Sequence, residues 1–123
     1  MITLSIQAAK AFSGELPEMP IESDWILEGS PQARGTVLVQ SADKLISSGL
    51  WSCSAGKFNW EFAWDEFVYV LEGEVAITEE GGHSYRLQSG DVAHFPIGLK
   101  TEWHVPQFVK KVFTLRTPEP FGV

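Results

Sequence analysis

From Gly35 onward the chain is a succession of short apolar runs rich in Val, Ile, Phe, Tyr and Trp, separated by turn residues. Short β-branched and aromatic runs bounded by turn signals are the mark of strands. The pattern predicts strands over 36–40, 49–53, 58–62, 67–71, 74–78, 83–87, 92–95, 101–105 and 108–116. Glu79-Glu80-Gly81-Gly82 reads as a hairpin loop and Ser89-Gly90-Asp91 as a second turn. No helical period is sustained, so the fold class is all-β, a sandwich or a barrel. Residues 13–34 carry Pro17, Pro20, Gly29 and Pro31 among mixed charges. They read as a surface arm, with one short strand at Asp24-Trp25-Ile26-Leu27. Thr117-Pro118-Glu119-Pro120 cannot prolong a central strand, because proline lacks the N–H donor.

At 123 residues this is one domain: an arm over 1–34, a β-barrel over 35–117 and a tail over 118–123. The 16 acidic and 9 basic residues leave a formal charge of −7, which argues against nucleic acid and anionic membrane as partners. Cys53 is the only cysteine, so no intrachain disulfide forms, and a small buried hydrophobe is its simplest reading. The first residues show no basic start and too short an apolar run for a secretion signal, and no stretch is long and apolar enough to span a bilayer. A cytoplasmic protein is the expectation.

Two stretches carry the candidate chemistry. In WDEFVYVLEGEVAI, Glu66 opens an apolar β-branched run, and Gly73 follows after six residues as a tight turn. In GDVAHFPIG, Gly90, Pro96 and Gly98 are spaced by five residues and by one. Together they resemble the two motifs of the cupin superfamily, G-x(5)-H-x-H-x(3,4)-E-x(6)-G and G-x(5)-P-x-G-x(2)-H-x(3)-N. The run GLWSCSAGKFNWEFAWDEF is similar to small single-domain members of the family related to ureidoglycine aminohydrolase and the ethanolamine-utilisation cupin. The resemblance covers Trp25 to Leu115 and implies a jelly-roll-like barrel of two antiparallel sheets.

It also implies a departure. The two histidine positions of the first motif fall on Trp60 and Phe62, or on Asn59 and Glu61 with the longer spacing. The histidine position of the second motif falls on Thr101, and its Asn position on Val105. The usual metal ligands are missing, and no cofactor is assigned. If strand pairing follows the family, Trp60, Phe62, Glu66, Thr101 and Trp103 point inward and place aromatic walls around one carboxylate. Burial among aromatics disfavours the charged form of Glu66, which suits general acid or base work; it equally suits a polar anchor for a ligand. The alternative is a carboxylate paired with Lys, Arg or a backbone N–H near the barrel mouth.

Glu66 and His94, helped by Glu61, are the one route to a rebuilt metal site. His83 and His104 read as solvated or outward, and Tyr69 as sheet packing. Trp51, Trp60, Trp64 and Trp103 read as core in part, although aromatics near one mouth also suit a planar or sugar-like ligand. Lys110-Lys111 reads as a solvated edge. Phe108, Val109, Val112 and Phe113 give the last strand apolar groups on both faces, and a homodimer is expected from that and from the family. Three functions fit this set. One is a small-molecule-binding module with an aromatic pocket around Glu66 (ligand contacts Trp60, Phe62, Thr101, Trp103 and His94). The second is a hydrolase, lyase or isomerase of a small polar metabolite, with Glu66 as acid/base, with or without a divalent metal. The third is a structural or regulatory subunit.

Overall fold

The computed structural model describes residues 4–9 and 15–122. A single-turn 3-10 helix, Ser23–Trp25, precedes seven strands: β1 (Ile26–Gly29), β2 (Ala33–Gln40), β3 (Ile46–Glu61), β4 (Asp65–Glu79), β5 (Ser84–Gln88), β6 (Val92–Phe95) and β7 (Lys100–Arg116). All pairings are antiparallel. The main order is β1-β3-β7-β4-β5, with β2 added to β3 and β6 to β4.

Six of the strands expected from sequence are joined in pairs. Segments 49–53 and 58–62 belong to β3, 67–71 and 74–78 to β4, and 101–105 and 108–116 to β7. These strands run 16, 15 and 17 residues, against a typical five or six. They stay continuous because the chain bends at bulges, which shift register without ending the ladder. The shifts fall between Ser54 and Gly56, Val70 and Glu72, and Gly73 and Ala76. Gly73 therefore marks a bulge within β4 and not the tight turn expected from sequence. Its φ of +74° is left-handed, and a Cβ there would lie 1.8 Å from the Phe108 carbonyl oxygen. Only glycine lets β4 approach β7 so closely.

The bends divide the three long strands between two layers. In layer A, the first half of β3 pairs with β2, the first half of β4 with β6, and the second half of β7 lies between them. In layer B, the other halves carry β1 and β5 at the edges. The layers face each other across the core. Phe58, Val75, Ile77, Trp103 and Val105 come from layer B, and Trp51, Cys53, Val68, Val70, Val109 and Phe113 from layer A.

The arm is stitched to this body. Strand β1 is part of layer B, and Leu16 and Ile21 are buried. Met19 donates its N–H to the Ala33 carbonyl, and Gly35 donates to Pro17. The hairpin and turn glycines, Gly81, Gly82 and Gly90, all take positive φ. Strand β7 ends at Arg116, before the prolines. The apolar residues of β7 fall on both faces as expected: Val109 and Phe113 are core, while Phe108 is partly exposed and Val112 faces outward.

Cys53 has no exposed surface, and burial pushes its thiol up to about 12, with the charge of Lys111 pulling weakly the other way. The thiolate is the reactive form. Native protein at mildly alkaline pH is expected to resist thiol labelling and to react stoichiometrically once unfolded in guanidinium; rapid native labelling contradicts this packing.

Candidate functional site

Alternation along β4 sends Glu66, Val68 and Val70 inward and Phe67, Tyr69 and Leu71 outward. Glu66 is thereby carried into the barrel, 4% exposed. The same alternation along β7 sends Val109, Lys111 and Phe113 inward. Lys111 is 7% exposed, so it is no part of a solvated edge. Strand β7 lies between β3 and β4, which makes it the central strand of the sheet.

The two charges meet. Lys111 Nζ donates to Glu66 Oε2 at 2.6 Å, and Trp64 Nε1–H donates to the other oxygen, Oε1, at 2.9 Å. Above the ammonium lie two indoles, with Nζ 4.6 Å from the Trp51 ring centroid and 4.9 Å from that of Trp103. Two ring faces and a carboxylate thus take the place of the water that Lys111 loses on burial. Each oxygen of Glu66 has a partner, and the pairing alternative drawn from the sequence is the one realised.

The other expected site residues separate into three groups. Trp60 and Thr101 lie at the barrel mouth. Trp60 meets Trp25 edge-on, with centroids 5.2 Å apart. The Thr101 hydroxyl donates to the Trp60 carbonyl at 2.8 Å and accepts from Trp103 Nε1 at 2.9 Å. Phe62 and Trp103 are core. Phe62 stacks on Phe95 at 4.7 Å, and Trp103 packs between Phe58 and Trp51. Phe62 therefore offers no ligand wall. His94 is on the outward side, its side chain 46% exposed, stacked on Phe67 at 4.5 Å. Its pairing register sets it opposite Phe67, while Phe95 is the residue opposite Glu66.

That register removes the rebuilt metal site. Among the described residues no three His, Cys, Asp or Glu side chains are grouped to hold an ion. Neutral imidazoles with an oxygen donor suit the transition metals. Here the family's histidine positions carry Trp60, Phe62 and Thr101, and the one retained carboxylate is committed to an ammonium. The donor set does not fit a metal; a protein cation stands beside Glu66.

The expected aromatic walls surround Glu66, but they close on it. The space bounded by Trp51, Phe58, Trp60, Glu66, Trp103 and Lys111 is about 20 Å³, enough for one water and too small for a metabolite. Larger spaces lie at the mouth. A groove of about 590 Å³ is lined by Trp25, Trp60, Glu61, Glu79, Glu80 and Glu102, with Lys100 as its one cation among the described residues. A more enclosed apolar cleft of about 280 Å³ is lined by Ile77, Leu87, Phe95 and Leu99. Glu79 and Thr101 border both. Sequence reasoning missed this acidic rim and the pairing of Lys111 and Trp64 with Glu66. For Lys111 one signal was available: it shares parity with Val109 and Phe113 in an otherwise apolar strand.

Removing one member of a buried pair strands the other, at about 3–5 kcal/mol. Glu66→Gln and Lys111→Met are each expected to destabilise by about that much in urea unfolding, while Glu66→Leu combined with Lys111→Met recovers most of the loss. Additive losses would contradict a direct pair. Next to Glu66, Asp65 accepts from Arg116 at 2.8 Å and from the Ile97 N–H at 3.0 Å, and these bonds, in that order, hold its carboxyl below the usual 3.8. A depressed carboxyl stabilises the fold above its unfolded value and loses that contribution as pH falls through the folded one. The stability gap between wild type and Asp65→Asn is therefore expected to narrow as pH drops below 3.8; a gap independent of pH contradicts the assignment.

Comparison with known proteins agrees with this architecture. A family described as the EutQ-like cupin domain matches residues 40–113. A protein described as ethanolamine utilization protein Q from Salmonella typhimurium LT2 is 27% identical, with a TM-score of 0.61 over 72% of this chain and 70% of that one. A DUF861 family protein from Thermotoga maritima is 36% identical, with a TM-score of 0.52 over 54% of this chain and 75% of that one. A protein of unknown function from Pseudomonas syringae pv. tomato shares the fold at 20% identity, with a TM-score of 0.76 over 83% of this chain and 44% of that one. No curated protein matches the chain. The double-layered barrel, the spacing from Glu66 to Gly73 and the family match over residues 40–113 together make this chain a member of the EutQ-like cupin family.

Proposed function

We propose that this cupin is a metal-independent module that binds a small amine at the barrel mouth, with the ammonium in the acidic groove and the apolar part in the adjoining cleft. The observation that carries the reading is the shared border of the two spaces at Glu79 and Thr101. One side supplies the carboxylates Glu61, Glu79, Glu80 and Glu102 beside the indoles of Trp25 and Trp60. The other supplies an enclosed apolar lining. Carboxylates and ring faces both favour a cation, and an apolar pocket with a few convergent polar groups is the usual form of a small-molecule site. Glu66 is removed from ligand contact in this reading, since its oxygens are taken by Lys111 and Trp64. Its part is to hold the floor on which the mouth is built. The name of the Salmonella relative refers to ethanolamine use, and ethanolamine is itself a primary amine, so it belongs among the probes.

Calorimetric titration with ethanolamine, phenethylamine and phenylacetate tests the reading. Saturable binding of the amines is expected, tighter for phenethylamine, with none for the carboxylate. Glu79→Gln is expected to weaken amine binding about tenfold or more, the worth of a charge-assisted hydrogen bond. Equal binding of phenylacetate, or no saturable binding of either amine, overturns it.

A further inference from the structure

Register lays out the inner face of layer B at the barrel mouth. Trp60 stands opposite Thr101, and Thr101 opposite Glu79. One step further in, Trp103 stands opposite Ile77, and Ile77 opposite Tyr85. Residues directly opposite in a ladder share a face, so Tyr85 stands on the inner face beside Ile77. Ile77 is 2% exposed, however, and Tyr85 53%. The difference comes from the sheet edge. Strands β5 and β6 each pair with β4 and not with one another, so a seam between the layers stays open there. Tyr85 borders the apolar cleft at this seam, beside Leu87 of β5 and Ala93 of β6.

The cleft thus has two unlike ends. Glu79 and Thr101 form the end it shares with the acidic groove, whereas Tyr85 borders the cleft and not the groove. Glu79 donates its N–H to the His83 carbonyl at 2.8 Å, which carries the ladder on and sets Tyr85 two residues past the position opposite Glu79. Such diagonal neighbours lie about 7–8 Å apart. We infer that the amine taken at this mouth carries a hydroxyl at the far end of its apolar part, and that Tyr85 is the residue that selects it. The inference rests on the reading of the mouth as an amine site. With the ammonium on Glu79, an apolar body lies along Phe95 and Leu99, and its far end arrives at the seam. A hydroxyl there exchanges a hydrogen bond with the Tyr85 phenol, which offers both a donor and an acceptor. A bare hydrocarbon end covers the phenol and gives it no partner in place of water. A carboxylate at the far end meets no ammonium or guanidinium, since no Lys or Arg among the described residues lines the cleft. His94 also borders it, but its ring is stacked on Phe67 on the outward side. A phenolic arylalkyl amine is the ligand class that matches both ends.

Calorimetric titration with phenethylamine and tyramine, which differ by that hydroxyl alone, tests the inference. Tyramine is expected to bind wild type about fivefold more tightly, the worth of one neutral hydrogen bond. Tyr85→Phe, at an exposed position, is expected to abolish the preference with an unchanged circular dichroism spectrum. Glu79→Gln is expected to weaken both amines and keep the preference. Saturable phenethylamine binding with no gain for tyramine overturns the inference and leaves the amine reading standing. Absence of binding by either amine overturns both. A preference for tyramine that survives in Tyr85→Phe overturns the part given to Tyr85.

Discussion

A carboxylate buried inside a barrel requires a countercharge, and the rest of this structure follows from how Glu66 acquires one. The ammonium of Lys111 reaches it from the neighbouring strand at 2.6 Å. Trp64 satisfies the second oxygen, and Trp51 and Trp103 cover the ammonium. Register fixes the encounter. Lys111 lies opposite Val70 on β4 and Trp51 on β3, and a shift by one residue would turn it outward with Val112. The bulges around Gly73 let β4 and β7 stay paired on both sides of the bend.

A family that commonly organises its interior around a metal is represented here by a chain that places a side-chain cation beside the retained glutamate. The indoles and phenyl rings that fill the remaining volume leave room for about one water. The larger spaces lie at the rim, where Glu79 and Thr101 border both the acidic groove and the apolar cleft, and the proposed amine site is there. The Thr101 hydroxyl links rim to floor, since it donates to the Trp60 carbonyl and accepts from Trp103. A chain of contacts through Thr101 and Trp103 thus connects the outer groove to the inner ion pair.

Local features of the fold were legible in the sequence, because alternation and turn chemistry are local. Strand β6 and the glycine turns fall where the pattern puts them, and so does the inward direction of Glu66. The continuity of β3, β4 and β7 was not legible, since a bulge and a turn share the same glycine signal until register is known. The Lys110-Lys111 pair illustrates a second limit. A lysine doublet suggests an edge, yet the partner that makes Lys111 tolerable in the interior lies 45 residues away. Phe62 pointed inward as expected, but stacking on Phe95 made it core instead of a pocket wall. His94 alternates with Phe95, and only the β4 register shows which of the two faces Glu66.

The Lys111 ammonium stands 2.6 Å from the retained glutamate, and the reading of this site as metal-independent rests on that pair. Elemental mass spectrometry of protein purified without a histidine tag or chelator tests it most directly. Transition metals are expected far below stoichiometry, before and after incubation with manganese, iron, nickel or zinc. A near-stoichiometric metal lost in Glu66→Gln would contradict it.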